Sequence, residues 1–138
     1  FGSFDGSHSL VLGASILYAN SVSSCSIGSG SYTHSGNIDG GDSCSFDIGS
    51  LDLVNTDPML GSNSTICGTT VCYEPEPGSP AIDMLPTDHP HIQWQDQRNA
   101  TRPMDGDWDG QPRYDAGSVE SGLIFADDFE TGDDSGWS

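Results

Sequence analysis

Short apolar stretches alternate with small polar residues along the first half of the chain, and none has the length or spacing of an amphipathic helix. Two brief stretches, 9–12 and 15–18, are ended by Gly13 and Asn20, and a third lies at 45–53. Apolar and β-branched runs of this length, bounded by Gly, Asn and Ser, are typical of strands. The pattern therefore predicts an all-β chain built from short strands.

The segments between these stretches are rich in turn residues. Clusters of Gly, Ser, Asn and Asp occupy 26–31 and 37–43, and we expect both to be turns. From 58 to 112 the chain is punctuated by proline, which predicts an irregular cap wrapped over the strands. The apolar residues of this region that we expect to be buried are Met59, Leu60, Ala81, Ile82, Met84, Leu85 and Trp94.

Charge narrows the range of partners. The 138 residues carry a net charge of −18, from 21 acidic side chains against 3 basic ones, all of them arginine. Binding to nucleic acid depends on cationic side chains that release counterions, so this balance excludes a nucleic-acid partner and disfavours anionic membrane surfaces. The longest apolar stretch, 10–19, is interrupted by Gly13 and Ser15 and is shorter than the roughly 20 residues that cross a bilayer. We therefore expect no membrane span.

The cysteines indicate an oxidising compartment. Their number, 4, is even, which is typical of disulfide pairing in a secreted protein. Of the three possible connectivities, we favour Cys25 with Cys44 and Cys67 with Cys72, because each pair brackets an excursion that gains order by closure. A zinc site is the competing interpretation, but the chain has no C-x-x-C spacing.

The run Asp-Gly-Asp-Trp-Asp-Gly at 105–110 places carboxylates at alternate positions and ends on a glycine. Calcium prefers such oxygen ligands, and without a cation the carboxylates would repel one another. The loop is not an EF-hand, since Ala116 stands where that loop has a glutamate. We predict a free-standing calcium site, with a solvated acidic turn as the alternative. Its predicted ligands are Asp105, Asp107, Asp109, a backbone carbonyl near Gln111, and Asp115 or Glu120 as the closing ligand.

Two of the arginines lie close to aspartates in the sequence. Arg98 and Arg102 stand beside Asp96 and Asp105, and we expect them to fix the cap through charge-assisted hydrogen bonds. A role in binding a substrate is the alternative.

Two further signals are weaker. His89 and His91 flank a proline and could share a metal, but no further ligand of matching spacing follows, so ordinary surface histidines are favoured. Asn63 and Asn99 begin N-glycosylation sequons, which would be candidate glycosylation sites in a eukaryotic secretory pathway and coincidental in a bacterial protein.

Five short motifs follow one another in the second half of the chain. They are GSPAID at 78–83, DQR at 96–98, RP at 102–103, DGDWDG at 105–110 and YDAGSVE at 114–120. In order and spacing they resemble the C-terminal region of secreted bacterial right-handed parallel β-helix proteins, a pectin-lyase-like family often called choice-of-anchor Q proteins. The resemblance covers about residues 9–120.

The resemblance implies short right-handed parallel β-helix coils at 1–57, an irregular calcium-binding cap at 58–122 and an acidic aromatic tail at 123–138. Stacked coils leave an exposed strand edge at each end, which the cap would cover. The tail would be a sorting or interaction segment. The resemblance also implies a location outside the cell, at the bacterial surface, with cell-surface glycans as candidate partners.

Together these expectations favour a non-enzymatic extracellular module with a structural or adhesive role, stabilised by calcium and disulfides. The leading alternative is a self-assembling filament subunit, in which identical chains join head to tail by β-stacking or by strand donation. A polysaccharide-active lyase or hydrolase is the third reading. It is disfavoured because a lyase needs a base, and the basic residues are three arginines in the predicted cap.

Overall fold

A computed structural model describes residues 10–20, 23–25, 32–46, 50–64, 67 and 70–122. Its regular structure consists of four short strands: β1 (Leu10–Gly13), β2 (Ile16–Leu17), β3 (Tyr32–Ser35) and β4 (Ile38–Asp39). The described part is therefore all-β, as the pattern of short apolar stretches predicts. None of its residues forms a helix, so it contains no helix suited to crossing a membrane. The predicted tail at 123–138 lies outside the described residues.

The strands form two parallel pairs. β1 pairs with β3, which places Leu10 opposite Tyr32, and β2 pairs with β4, which places Ile16 opposite Ile38. A further parallel bridge joins Ile38 to Leu53. Because parallel neighbours cannot be joined by a tight hairpin, the chain crosses over between them and returns in the same direction. Three successive passes of the chain therefore lie side by side.

Asn37 ties these passes together from a fully buried position. Its Oδ1 accepts a hydrogen bond from Ser15 N at 3.1 Å, while its Nδ2 donates to Leu12 O at 3.0 Å and to Asp52 Oδ1 at 2.8 Å. The Asn37 backbone N–H donates to the same Asp52 oxygen at 2.7 Å. Buried polar groups need hydrogen-bond partners. The side-chain amide of Asn37 finds its partners in the neighbouring passes, and these hydrogen bonds also fix the register of the three passes.

The core is shared between the strands and the chain that follows them. Ile38, Ala81 and Ala116 are its fully buried members, and the partly buried residues packed against them are Ile16, Leu53 and Met84. Gly36 brings the two parts together, since its φ is 72° and an added Cβ would lie 2.5 Å from Leu85 Cδ2. A side chain at this position would therefore be strained and would also clash.

After residue 58 the chain folds into irregular structure held by isolated bridges. Each described bridge in this region is antiparallel: Leu60 with Pro75, Ser64 with Cys72, Leu85 with Tyr114, Gln95 with Thr101, and Met104 with Arg113. Prolines and turns follow one another too closely here for a longer ladder to form.

Several local predictions were wrong. The expected turn cluster at 37–43 contains β4, because burial of Ile38 between two other passes outweighs the turn propensity of its neighbours. In the predicted strand at 45–53, the described residues form only the bridge at Leu53, and 47–49 lie outside the described residues. Met59 and Trp94, predicted to be buried, are 41% and 71% exposed.

Candidate metal site and its buried carboxylate network

Three carboxylates from two distant parts of the chain converge within the irregular region. Asp83, Asp105 and Asp107 each offer an oxygen, and these oxygens all lie within 4.8 Å of one another. Among the described residues no other group of three or more His, Cys, Asp or Glu side chains has this geometry. The arrangement is a candidate site for a hard divalent cation, which prefers oxygen ligands.

Asp83 holds the acidic loop in place. Its Oδ2 accepts hydrogen bonds from the backbone N–H of Gly106 at 2.8 Å and of Asp107 at 2.9 Å, and its Oδ1 accepts one from Arg113 N at 3.1 Å. A Cβ at position 106 would lie 2.7 Å from Ile82 Cγ2, so the loop needs glycine there to approach so closely. The loop is therefore wrapped around one carboxylate.

The electrostatics of Asp83 are those of a crowded acidic site. Burial raises its pKa even though three backbone hydrogen bonds lower it, and the neighbouring Asp107 charge raises it further. An opposite charge beside a carboxylate favours its ionised form. A bound cation would therefore lower the pKa of Asp83 and relieve its repulsion with Asp107.

Asp105 contributes an unsatisfied oxygen. Its Oδ2 accepts a hydrogen bond from Gly110 N at 2.8 Å, whereas its Oδ1 is buried and accepts none from the described residues. Leaving a buried acceptor unpaired costs about 1–3 kcal/mol. A metal ion between the three aspartates would satisfy this oxygen.

Asp109 is not a member of this group of carboxylates, and the backbone carbonyl predicted near Gln111 stays a prediction. Asp109 Oδ1 accepts a hydrogen bond from Gln111 N at 2.7 Å, and both residues are exposed. The alternating positions of the acidic loop therefore do not all converge. The last carboxylate of the run instead closes a local turn in its own backbone.

Asp115, predicted as a closing ligand, holds the backbone of Asp83. It is fully buried, and its two oxygens accept hydrogen bonds from Asp83 N at 2.8 Å and from Ser121 N at 2.5 Å. Asp115 therefore positions Asp83 through its backbone and is not a member of the three-carboxylate group. Asp83 itself was missed as a ligand because nothing local to the GSPAID motif indicates that the loop at 105–110 folds against it.

Glu120 lies next to Asp115 and is also fully buried. Its Oε1 accepts a hydrogen bond from Met104 N at 2.9 Å, and its Oε2 accepts one from Asp115 N at 3.2 Å. Arg102 Nε is 3.0 Å from Glu120 Oε2, close enough for an ion pair although its angle does not satisfy hydrogen-bond geometry. Arg102 also donates from Nη2 to Gly117 O at 2.8 Å.

Arg98 forms the second ionic cluster. It donates from Nε to Asp96 Oδ2 and from Nη1 to Glu74 Oε1, both at 2.8 Å, and from Nη2 to Glu120 O. Burial raises the pKa of Asp96, but hydrogen bonds from Glu120 N and Arg98 outweigh that effect, and the net pKa is lowered. Arg98 therefore forms an ion pair with Asp96, the aspartate close to it in sequence. Arg102 pairs with Glu120 and not with Asp105.

The buried position of Glu120 has a consequence for stability. Burial raises the pKa of Glu120 from 4.5 to about 7, and the charge of Asp115 adds to this, while the Met104 N–H and Arg102 lower it. Since the folded state binds the proton more tightly than the unfolded state, stability falls as the pH rises through this window.

We therefore expect the free energy of unfolding to fall by roughly 3 kcal/mol between about pH 4.5 and pH 7, at about 1.4 kcal/mol per unit of pKa difference. The lowered pKa values of Asp52 and Asp96 act below this window, where stability is lost as the pH falls. Urea unfolding at a series of pH values, in chelator, measures the profile. Glu120→Gln should flatten the fall, and stability that rises across the window in the native chain would contradict the assignment.

The histidines form structural contacts. The rings of His89 and His91 lie with centroids 5.8 Å apart, and His89 Nε2 is 3.2 Å from Ser35 Oγ. Burial and the neighbouring His91 lower the pKa of His89. His34 Nδ1 lies 2.7 Å from Asp52 Oδ2 and packs its ring against Phe46, at a centroid distance of 5.0 Å. Neither pair belongs to a group of three metal ligands among the described residues.

Two disulfides close the loops predicted from the sequence. Cys25 is bonded to Cys44, with a sequence separation of 19, and Cys67 to Cys72, with a separation of 5. Cys44 is buried, and its N–H donates to Asp39 Oδ2 at 3.2 Å. Disulfides persist in oxidising environments, so they point to an extracellular protein.

Comparison with protein-family models, curated proteins and solved structures finds no match. The assignment of function therefore rests on the chain itself.

Proposed function

We propose that the chain is a non-enzymatic extracellular structural or adhesive module of the parallel β-helix kind, stabilised by calcium and by two disulfides. The observation that carries the proposal is the group formed by Asp83, Asp105 and Asp107, with its unsatisfied buried oxygen. Three carboxylates would supply part of a calcium shell of about 6–8 oxygens, and water or backbone carbonyls would complete it.

The strand pairing supports the β-helix part of the proposal. β1 and β2 pair in parallel with β3 and β4, and Leu53 extends the second pairing by one bridge. A chain that returns repeatedly in the same direction, with inward side chains such as Ile16 and Ile38 stacked on one another, is what coiled β-solenoids require. The buried Asn37 would then act as a rung between coils.

The structural role is supported by the placement of reactive side chains. Asp115 and Glu120 are fully buried, and each of their carboxylate oxygens accepts a hydrogen bond from a backbone N–H, which suits anchoring more than proton transfer to a substrate. Ser50 and Asp52 both approach the same ring nitrogen of His34, Nδ1. A serine relay needs the base to use one ring nitrogen for each partner, so this cluster is better suited to bracing the strands.

Head-to-tail association stays a prediction. Among the described strands β1 pairs only with β3, and Leu10 and Val11 on it are each 51% exposed. Glycans of a cell surface likewise stay predicted partners, and a bacterial surface a predicted location.

Thermal unfolding in calcium and in chelator tests the metal site. Calcium at about a hundredfold excess over its Kd should stabilise the native chain by about 2.7 kcal/mol, which corresponds to roughly 10 °C in a domain of this size. Asp107→Ala should abolish the shift, because it removes one of the three converging carboxylates.

Asp109→Ala is the matched control. It removes an aspartate from the same loop, two positions away, that lies outside the converging group, so the calcium shift should persist. Equal melting temperatures with calcium and chelator in the native chain would leave the loop a solvated acidic turn. Loss of the shift in both variants would mean that the loop as a whole, and not the Asp83 group, binds the ion.

A further inference from the structure

Two neighbouring cavities lie where the irregular part of the chain packs against β2. The larger has a volume of about 790 Å³, and the smaller, of about 350 Å³, adjoins the segment 91–97. Both volumes lie within the roughly 300–1,000 Å³ of ligand pockets. Four residues line both cavities, which are therefore parts of one groove, the tyrosine–glutamine groove: Ala14, Gln97, Gly117 and Ser118.

The groove offers a charged ligand no free counter-charge among its described lining residues. No Asp, Glu, Arg or His of the described part lines the larger cavity. Asp96 and Arg102 line the smaller one, but they are 7% and 8% exposed and form ion pairs with Arg98 and Glu120. The net charge of the chain, −18, repels anions. The lining is therefore suited to an uncharged ligand.

Three glutamines supply polar groups to the groove. Gln93, Gln95 and Gln97 stand at alternate positions, and all are exposed and line it. Gln95 Nε2 donates to Asn99 O at the long distance of 3.5 Å, whereas the side chains of Gln93 and Gln97 make no hydrogen bond with another described residue. Each amide carries both donors and an acceptor. These side chains can therefore bind hydroxyl groups of a ligand.

Two tyrosines line the larger cavity. Tyr73 is 53% exposed, and its hydroxyl makes no hydrogen bond with another described residue. Tyr18 is 42% exposed and fixed in place, since its hydroxyl bonds to Asp57 and a Cβ on Gly40 would lie 2.5 Å from Tyr18 Cδ2. Tyrosine combines an apolar ring with a polar tip. A sugar ring has the matching character, with an apolar C–H face and hydroxyls at its edge.

The backbone where the two cavities meet offers no free strand edge. Gly117 N donates to Ala14 O and Gln97 N donates to Ser118 O, each at 2.8 Å. A polypeptide that adds to a sheet as a strand needs free main-chain groups, and these are already paired with each other. Recognition therefore depends on the amide and tyrosine side chains, which favours a hydroxyl-rich ligand over an extended peptide.

We propose that the tyrosine–glutamine groove binds a linear neutral polysaccharide, with a sugar ring against Tyr73 and hydroxyl groups on Gln93 and Gln97. The inference rests on the proposed adhesive role and deepens it, because it gives the predicted glycan partner a site and a chemical class. A neutral chain of sugars needs no counter-charge in the groove, and the negative field of the protein does not repel it.

Fluorescence anisotropy with labelled linear hexasaccharides tests the proposal. Cellohexaose, mannohexaose and xylohexaose are the neutral probes, and hexagalacturonate is the anionic one. At least one neutral probe should bind, and hexagalacturonate should not. Tyr73→Ala should weaken binding by about tenfold, at the upper end of the energies of aromatic contacts. Gln97→Ala should weaken it by about fivefold, the equivalent of one hydrogen bond.

Trp94→Ala and Gln111→Ala are the matched controls. Both residues are exposed, and neither lines the groove, so each variant should bind the neutral probe as the native chain does. Trp94 is the stricter control because it stands between Gln93 and Gln95 in the chain and is 71% exposed. Its substitution removes a larger aromatic ring than Tyr73→Ala does.

Failure to bind any neutral probe would overturn the proposal, as would equal losses in the test and control variants. Hexagalacturonate that binds as tightly as the neutral probes would overturn the assignment to a neutral ligand. A labelled peptide of alternating threonine and valine that binds through Tyr73, when no sugar does, would assign the groove to a polypeptide and overturn the proposal too.

The metal site and the groove can fail separately. Asp83, Asp105 and Asp107 do not line the groove, so sugar binding should be the same in calcium and in chelator. Sugar binding without a calcium-dependent rise in melting temperature would remove the metal site and support the groove. A calcium-dependent rise without sugar binding would overturn this inference alone.

Discussion

Replacing Arg102 with methionine should lower the free energy of unfolding by about 3–5 kcal/mol at about pH 8, which is the range for breaking one partner of a buried ion pair. Arg102 is 8% exposed, and its Nε lies 3.0 Å from the fully buried Glu120 carboxylate. Methionine fills much of the same space but supplies no charge. The Glu120 carboxylate would then be buried without its counter-ion, and Gly117 O would lose its donor.

The pH dependence of this loss identifies its cause. Burial raises the pKa of Glu120 to about 7, so at about pH 5 the group is mostly neutral in the folded state. The cost of Arg102→Met should then fall to about 1–2 kcal/mol, the value of a lost hydrogen bond to a buried acceptor. Urea unfolding of native and variant chains at both pH values, in chelator, measures the difference.

Arg113→Met is the control for loss of an arginine as such. The Arg113 residue is exposed, and the contact it makes to Asp83 comes from its backbone N–H, which the substitution retains. Its effect should be within about 0.5 kcal/mol. The double variant Arg102→Met with Glu120→Gln should be more stable than the sum of the two single losses predicts, since the residues interact directly. A loss that is the same at both pH values would contradict the assigned role of the ion pair.

Removing the Cys25–Cys44 disulfide by replacing both cysteines with alanine should cost about 3 kcal/mol, mainly through the greater freedom of the unfolded chain. The two cysteines are separated by 19 residues in the sequence. Cys44 is also buried beside Asp39, so the bond anchors a loop against the central strands. Chemical unfolding without reductant gives the loss directly.

The second disulfide provides the comparison. Cys67 and Cys72 are separated by only 5 residues, so the same substitution there should cost less, about 2 kcal/mol in the chain-entropy model. Equal losses for the two pairs, or a larger loss for the shorter loop, would mean that packing and not loop closure determines the contribution of these bonds.

The local sequence pattern indicated some residues of the candidate site and missed others. The alternating aspartates predicted that the carboxylates of Asp105 and Asp107 lie close together, and their oxygens do converge. A tight loop keeps neighbouring carboxylates close together whatever the rest of the chain does. The same alternation was misleading for Asp109, whose side chain turns back to the backbone of its own loop. Asp83 and Glu120 reach the network from 23 and 16 residues away along the chain, and no local pattern encodes such a distance.

Short apolar stretches separated by turn residues determined the all-β character of the described part, and the spacing of the cysteines indicated how they pair. These are local properties, fixed by backbone preferences and loop closure. The tertiary structure alone decided that Ile38 is a central strand residue, that Asp83 organises the acidic loop, and that Arg102 pairs with Glu120. Each of these depends on which distant segments are buried against one another, because burial makes an unpaired charge or amide costly and so selects the partner.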